Sequence, residues 1–362
     1  MTERRRILFL ADINSIHTQR WVINLIAKVF DIGIFSLSAK NTSWMDGIER
    51  FSFQCYGLGQ DVVRSKKKMG KLSYFSATKD ARKFCDSFAP EIVHAHYASS
   101  YGMLASRLKF PKTILSLWGS DVYEFPKRSI LHKALFKKIL KSIPVVCSTS
   151  KDMAREAGKY VSKDYKITPF GVDTDIFRPI EVPKKELVIG TVKSLEDVYG
   201  IDRLLRLFAR FNDVYNGEAR LLIYGKGSKE AELKKLAADL DIAGYVDFKG
   251  YVSGEDLVKA FNTLDVFVAL SRQESFGVAV LEAQACGVPV LVSNVGGLPE
   301  VVAESSGTII SGDDYERGYR VLLEYAYSEN KEELSTKARA FVMENYSEEV
   351  CVNKLIEVYD QI

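Results

Sequence analysis

The chain has 362 residues, 47% of them apolar, and a formal net charge of +3. That length exceeds one ordinary core and fits two α/β domains. No stretch reaches the roughly 18–20 apolar residues of a membrane span, and five scattered cysteines (Cys55, Cys85, Cys147, Cys286, Cys351) lack the spacing of a disulfide framework, so reduced thiols in the cytoplasm are expected.

Charge is uneven: up to residue 180 there are 30 Lys and Arg against 16 Asp and Glu, and beyond it 20 against 31. The basic half is either an accident of surface composition or faces something anionic. Helix-turn-helix, zinc and RNP-like signatures are missing, so nucleic acid is not expected as a partner. The opening MTERRRILFLADINS has basic residues and a short apolar run that stops at Asp12 with no small-residue cleavage site; it reads as a first strand and not a signal peptide.

The spacing predicts first-half strands at 7–12, 32–38, 92–96, 113–118, 145–150 and 165–170, with helices such as 17–29, 72–88, 129–141 and 151–161. The polar turn after the first strand holds Asn14, Ser15, His17 and Arg20, fit either for binding acceptor or phosphate or for capping the helix. His94 and His96 share a strand face, but nothing nearby completes a metal site and none is expected. Trp118 ends the fourth predicted strand and presents a large apolar ring; Asp121 is either a hydroxyl acceptor or a helix cap. Two basic segments, 62–83 and 125–141, remain. The second spaces Ile130, Leu131, Leu135, Phe136, Ile139 and Leu140 on an apolar stripe flanked by Lys133, Lys137, Lys138 and Lys141. Such a helix suits either core packing or an anionic membrane surface.

Pro179 and Pro183 mark a linker at 177–185. Beyond it, strands are predicted at 187–193, 220–225, 246–251, 266–270, 289–294 and 307–311, and helices at 200–216, 228–241, 253–264, 277–286 and 313–328. Alternating β and α implies parallel, doubly wound sheets. Lys193 ends the first of these strands, and Gly225 and Gly227 form a G-x-G turn between a strand and a helix. The most informative run is VFVALSRQESFGVAVLEAQACGVPVLVSNVGGLPEVV, from Val266 to Val302. It sets Glu274 in a loop at a strand's carboxyl end and Glu282 about two turns along the next helix, at the edge where open α/β sheets bind ligands. The backbone N–H groups near Phe276, Gly277 and Val278 open that helix and suit a phosphate.

This run resembles the Glu-x7-Glu signature of the family-4 retaining glycosyltransferases, with S-R-x-E-x-F-G, A-x-G-x-P-V and G-G-x-P-E-V-V around it. The resemblance implies the α/β GT-B fold: two Rossmann-like doubly wound parallel-sheet domains facing across a cleft. An acceptor-binding domain (1–178) precedes a nucleotide-sugar-binding domain (186–345), and a helix at 346–362 crosses back to the first. It implies no metal or other cofactor; the nucleotide-sugar, a UDP-sugar on family grounds, is a substrate. Glu274 and Lys193 are the catalytic candidates, Glu274 for sugar hydroxyls and Lys193 for the departing diphosphate. Glu282 takes ribose hydroxyls, and Ser275, Phe276, Gly277, Val278, Gly225 and Gly227 contact the donor. Tyr199 stands where the family usually has a second cation, for which Arg272 is a candidate replacement. Trp118 replaces a family histidine in an H-G-x-D stretch; with Asp121, His17 and His96 it is expected to contact acceptor or sugar. The acceptor is expected to be a glycan or lipid-linked intermediate of the cell envelope, met at the cytoplasmic face of an anionic membrane by a peripheral enzyme of polysaccharide biosynthesis. The alternatives are a GT-B nucleotide-sugar epimerase and a non-catalytic membrane-associated protein that binds sugar nucleotides.

Overall fold

The computed structural model describes residues 4–28, 30–39, 42–57, 70–302, 305 and 307–362. They divide into two units: residues up to Pro169 together with Val352–Ile362, and Phe170–Cys351.

The first unit is built on β1 (Arg6–Leu10), β2 (Asp31–Ser36), β3 (Phe51–Cys55), β4 (Ile92–His96), β5 (Thr113–Leu117), β6 (Val145–Ser148) and β7 (Tyr165–Ile167). All pair in parallel in the order β3-β2-β1-β4-β5-β6-β7. The central strands β4 and β5 are buried along their whole length, as apolar runs covered on both faces must be. The sequence does not predict β3. Phe51-Ser52-Phe53-Gln54-Cys55 is a half-buried edge strand that lacks the continuous apolar run of its neighbours. The order reverses between β1 and β4, and their carboxyl ends mark the switch point at which such sheets hold ligands. There β4 runs into a π-helical turn, Tyr97–Gly102, entered through Tyr97 at φ +74°. Helix Glu348–Asp360 brings its last turn to this sheet: Tyr359 is fully buried, Arg5 donates to its carbonyl (2.7 Å) and pairs with Asp360.

The apolar stripe expected on the basic helix splits in two. In helix Ile130–Ser142, Phe136, Ile139 and Leu140 enter the core, while Ile130 and Leu131 point to solvent. Of the other basic segment, residues 62–69 lie outside the described residues.

The second unit repeats the plan with β8 (Leu187–Val192), β9 (Ala219–Tyr224), β10 (Val246–Gly250), β11 (Val266–Ala269), β12 (Val290–Ser293) and β13 (Gly307–Ile310). They are again all parallel, in the order β10-β9-β8-β11-β12-β13, so the switch point lies between β8 and β11. Helix Ile201–Asn212 packs on this sheet through Leu204, Leu207, Phe208 and Phe211, all 0–1% exposed. The sequence places 170–178 with the first half, whereas Phe170 onward lies in the second unit. Val172 bridges Ser347, its N–H donates to Tyr346 (2.9 Å), its carbonyl accepts from Glu348 (3.0 Å), and the Phe170 ring lies 6.0 Å from that of Phe276.

Candidate functional site

Two chain segments meet at the switch point of the second unit. Lys193 directly follows β8, and Glu274 lies in the loop leaving β11. Their side chains, 9% and 13% exposed, form an ion pair with Nζ 2.6 Å from Oε2. Solvent screens such a pair far less than a surface one. Tyr199 supplies a third partner, its ring centroid 5.3 Å from the ammonium, within reach of cation–π attraction. Tyr199 closes the short turn Asp197–Tyr199, which Arg272 fastens. The Arg272 N–H donates to the Val198 carbonyl (2.8 Å), and its guanidinium donates to the Asp197 carbonyl (2.8 Å) and to both carboxylate oxygens of Asp202 (2.8 and 2.7 Å). The guanidinium holds the Asp202 carboxyl below its usual range. Its planar fork thus holds Asp202 and the turn that carries Tyr199.

Glycines let the surrounding loops close on this pair. At Gly296, φ is +54° and an added Cβ would lie 1.8 Å from the Glu274 carbonyl oxygen; the Gly297 N–H donates to that same oxygen at 3.0 Å. The G-G pair thus fixes the backbone that carries Glu274. Gly225 and Gly227 do the same for Lys193. Added Cβ atoms would lie 1.9 Å from the Lys193 carbonyl oxygen and 2.3 Å from that of Leu195. That close approach of the chain to itself is why both positions need glycine. Glu282 is 9% exposed in helix Val278–Ala285 and sits at its fifth residue, little more than one turn along and not two. Gly277 caps that helix and its carbonyl accepts from the Val280 N–H (3.0 Å), so the Val278 and Ala279 amides are the ones without intrahelical acceptors. Ser275 and Val278 are half-buried, and Phe276 is buried with its ring against Phe170 and Tyr346.

The other candidates gather at the switch point of the first unit. Trp118 lies 4.4 Å from His96, 5.9 Å from Trp21 and 6.0 Å from His17, ring centre to ring centre. His17 and Trp118 are partly exposed, whereas His96 is 1% exposed, with Nδ1 3.2 Å from the Thr18 hydroxyl and Nε2 lacking a hydrogen-bond partner among the described residues. Its neighbour His94 is fixed by the Tyr359 and Ser116 hydroxyls, each at 2.8 Å. Burial keeps these rings neutral: it lowers the pKa of His94 to about 3 and, with help from Arg20, that of His17 to about 4, and it takes His96 well below the ordinary value. Asp121 is fully buried and accepts from the N–H groups of Ala98 (2.9 Å), Trp118 (3.2 Å) and Gly119 (2.9 Å). Of its two expected roles the structure shows the local one: it ties the loop bearing Trp118 to the π-helical turn, and none of it is open to an acceptor.

Sequence reasoning missed Tyr199 as a ring partner of Lys193, Asp202 as the anchor of Arg272, and Trp21 and His94 behind Trp118. Lys193 and Tyr199 are six residues apart but in different elements, the other contacts join residues farther apart in the chain, and only the departure from the family pattern at Tyr199 drew attention to one of them. Among the described residues no cluster of three or more His, Cys, Asp or Glu is placed to hold a metal ion. None of the five cysteines is in a disulfide; burial pushes the thiol of Cys85 up to about 11 and those of Cys147 and Cys286 up to about 12.

A family model described as "Glycosyl transferases group 1" matches residues 172–338, and one described as "Glycosyl transferase 4-like" matches residues 6–150. The chain is 33% identical over 166 residues to a D-inositol 3-phosphate glycosyltransferase of Stackebrandtia nassauensis, covering 41% of this chain and 38% of that protein. The match thus spans under two fifths of the length of that curated relative. In three dimensions the chain resembles sucrose-phosphate synthase from Thermosynechococcus elongatus, with a TM-score of 0.79 at 18% identity over 99% of both chains. It also resembles the Anabaena protein HepE in complex with UDP, with a TM-score of 0.79 at 14% identity over 99% of this chain and 100% of that one. At those identities the likeness speaks for the fold.

Proposed function

The chain belongs to the group 1 glycosyl transferases of the GT-B fold, and from that premise we propose that it is a retaining glycosyltransferase that moves a hexose from a nucleotide-diphosphate sugar to an acceptor. The donor lies over the carboxyl ends of β8 and β11. Its diphosphate meets the amides of Phe276, Gly277 and Val278 and the Lys193 ammonium, its ribose hydroxyls meet Glu282, and its sugar hydroxyls meet Glu274. Lys193 offsets the charge that grows on the leaving diphosphate. Glu274 and the donor phosphate supply negative charge near the oxocarbenium-like centre. Retention follows from same-face attack, the donor phosphate helping to take the acceptor proton. This reading assigns the diphosphate's charge to Lys193 and the helix amides and needs no metal.

One observation supports it above others: the buried Lys193–Glu274 pair sits beside a helix N-terminus at a topological switch point. UDP is the favoured carrier, since a GT-B neighbour has been captured with UDP and with UDP-glucose. In the first unit, the partly exposed Trp118 face and the neutral ring of His17 suit an uncharged glycan group, with His96 buried against Trp118. The acceptor is a lipid-linked or cell-envelope glycan intermediate, presented at the cytoplasmic face of the membrane. Thermal unfolding with a panel of nucleotide-sugars tests the donor half: the preferred donor raises the melting temperature by mass action, and a flat response to all of them rejects it.

A further inference from the structure

Helix Ile130–Ser142 leaves one face unpartnered. Among the described residues Ile130 and Leu131 are the most exposed large apolar side chains, at 86% and 80%. They are not a frayed end. Ser129 caps the helix by accepting from the His132 N–H (3.3 Å), and the His132 ring sits edge-on to buried Phe125 at 5.1 Å. Two bare aliphatic side chains are therefore held outward on a fixed turn, while Phe136, Ile139 and Leu140 root the opposite face in the core.

Along the same outer face, at helical spacing from Ile130, come Ala134, Lys137, Lys138 and Lys141, which with Ser142 line a shallow depression. The helix has no acidic residue, and Lys133, Lys137, Lys138 and Lys141 form no ion pair with a described residue. From Ile130 to Lys141 this face runs about 16 Å. Apolar knobs at one end and unneutralised ammonium groups along the rest fit a surface that is apolar just below a negatively charged layer. No described helix is long and apolar enough to cross a membrane, and this one, rooted in the core, lies along a surface.

We propose that the outer face of helix Ile130–Ser142 docks the protein on an anionic lipid bilayer, Ile130 and Leu131 entering the headgroup boundary and Lys137, Lys138 and Lys141 meeting the headgroups. This deepens the acceptor half of the proposed function, which rests on a membrane-presented glycan, but its test needs no turnover. The full chain is sedimented with vesicles of phosphatidylcholine alone or with one-third phosphatidylglycerol, at low and high salt. Three variants are compared: the unmutated chain, Ile130→Ser with Leu131→Ser, and Lys137→Gln with Lys138→Gln and Lys141→Gln. Each lysine contributes about fivefold to partitioning, so the triple variant loses about a hundredfold, and the double variant loses at least about tenfold. The unmutated chain binds anionic vesicles alone and leaves them at high salt. Because all five positions face outward, melting temperatures stay unchanged. Equal binding to neutral vesicles, no binding to anionic ones at low salt, unchanged binding by both variants, or full release by soluble glycerol phosphate overturns the proposal. Donor stabilisation measured without vesicles on the same preparations reports separately on the enzymatic reading.

Discussion

The two sheets share one strand order through six positions, yet their switch points are filled in opposite ways. In the second unit a charged pair, Lys193 and Glu274, occupies the ends of β8 and β11. In the first, the ends of β1, β4 and β5 carry imidazole and indole rings whose titratable members burial keeps neutral. The contrast teaches that the strand order chooses where a ligand sits, while the residues that follow each strand choose what kind. Charges suit the diphosphate of a donor, and neutral rings suit the faces and hydroxyls of a glycan.

The contrast breaks most sharply at the ion pair. Glu274→Ala is expected to lower kcat on the order of a hundredfold or more. As one partner of a buried pair is lost, the variant also unfolds about 3 kcal/mol more easily. Lys193→Met with Glu274→Leu regains most of that stability in urea unfolding but not the turnover. If the double variant turns over normally, the pair is structural and the assignment fails.

The rings of the first unit carry a pH signature. A histidine whose folded pKa lies below its unfolded value of 6.5 costs no stability above pH 6.5. Below it, the unfolded chain takes up the proton first, and stability falls with pH until the folded pKa is reached. For His94 that window runs from 6.5 down to about 3, and for His17 down to about 4. Each contributes a slope of about 1.4 kcal/mol per pH unit. Urea unfolding between pH 7 and 5 measures the combined slope, and His94→Asn removes one share of it. An unchanged slope in that variant means the ring is not held neutral in the fold.

Smaller effects sharpen the division of labour. Trp118→Ala is expected to raise the acceptor KM about tenfold through the lost ring face, with donor KM unchanged. A rise in donor KM instead places Trp118 at the other substrate. Tyr199→Leu is expected to lower kcat several-fold, in keeping with about 1 kcal/mol of cation–π attraction, whereas Tyr199→Phe, which keeps the ring, retains the rate.

What the sequence disclosed follows from what is local. The buried strands announced themselves as continuous apolar runs, and the loop–helix junction around Glu274 and Phe276 was legible from spacing and turn residues. The edge strand β3 was not, because half-burial leaves no continuous run. Helix Lys331–Tyr346 also escaped prediction; it buries few residues and shows little apolar periodicity. Within the site, contacts between distant positions stayed hidden. Arg272 and Asp202 lie 70 residues apart, and Lys193 and Glu274 lie 81 apart. Asp121 and the glycines at 225 and 227 suit a ligand or the chain itself equally well by residue type. The structure shows all three touching the chain itself.

Calorimetric titration of UDP and of uridine into the unmutated chain and into Lys193→Met tests the donor assignment most directly. The unmutated chain is expected to bind UDP, and the variant to bind it at least about tenfold more weakly, while uridine, which has no diphosphate, distinguishes neither. Equal affinity of both proteins for UDP, or no binding by either, contradicts a diphosphate seated at Lys193.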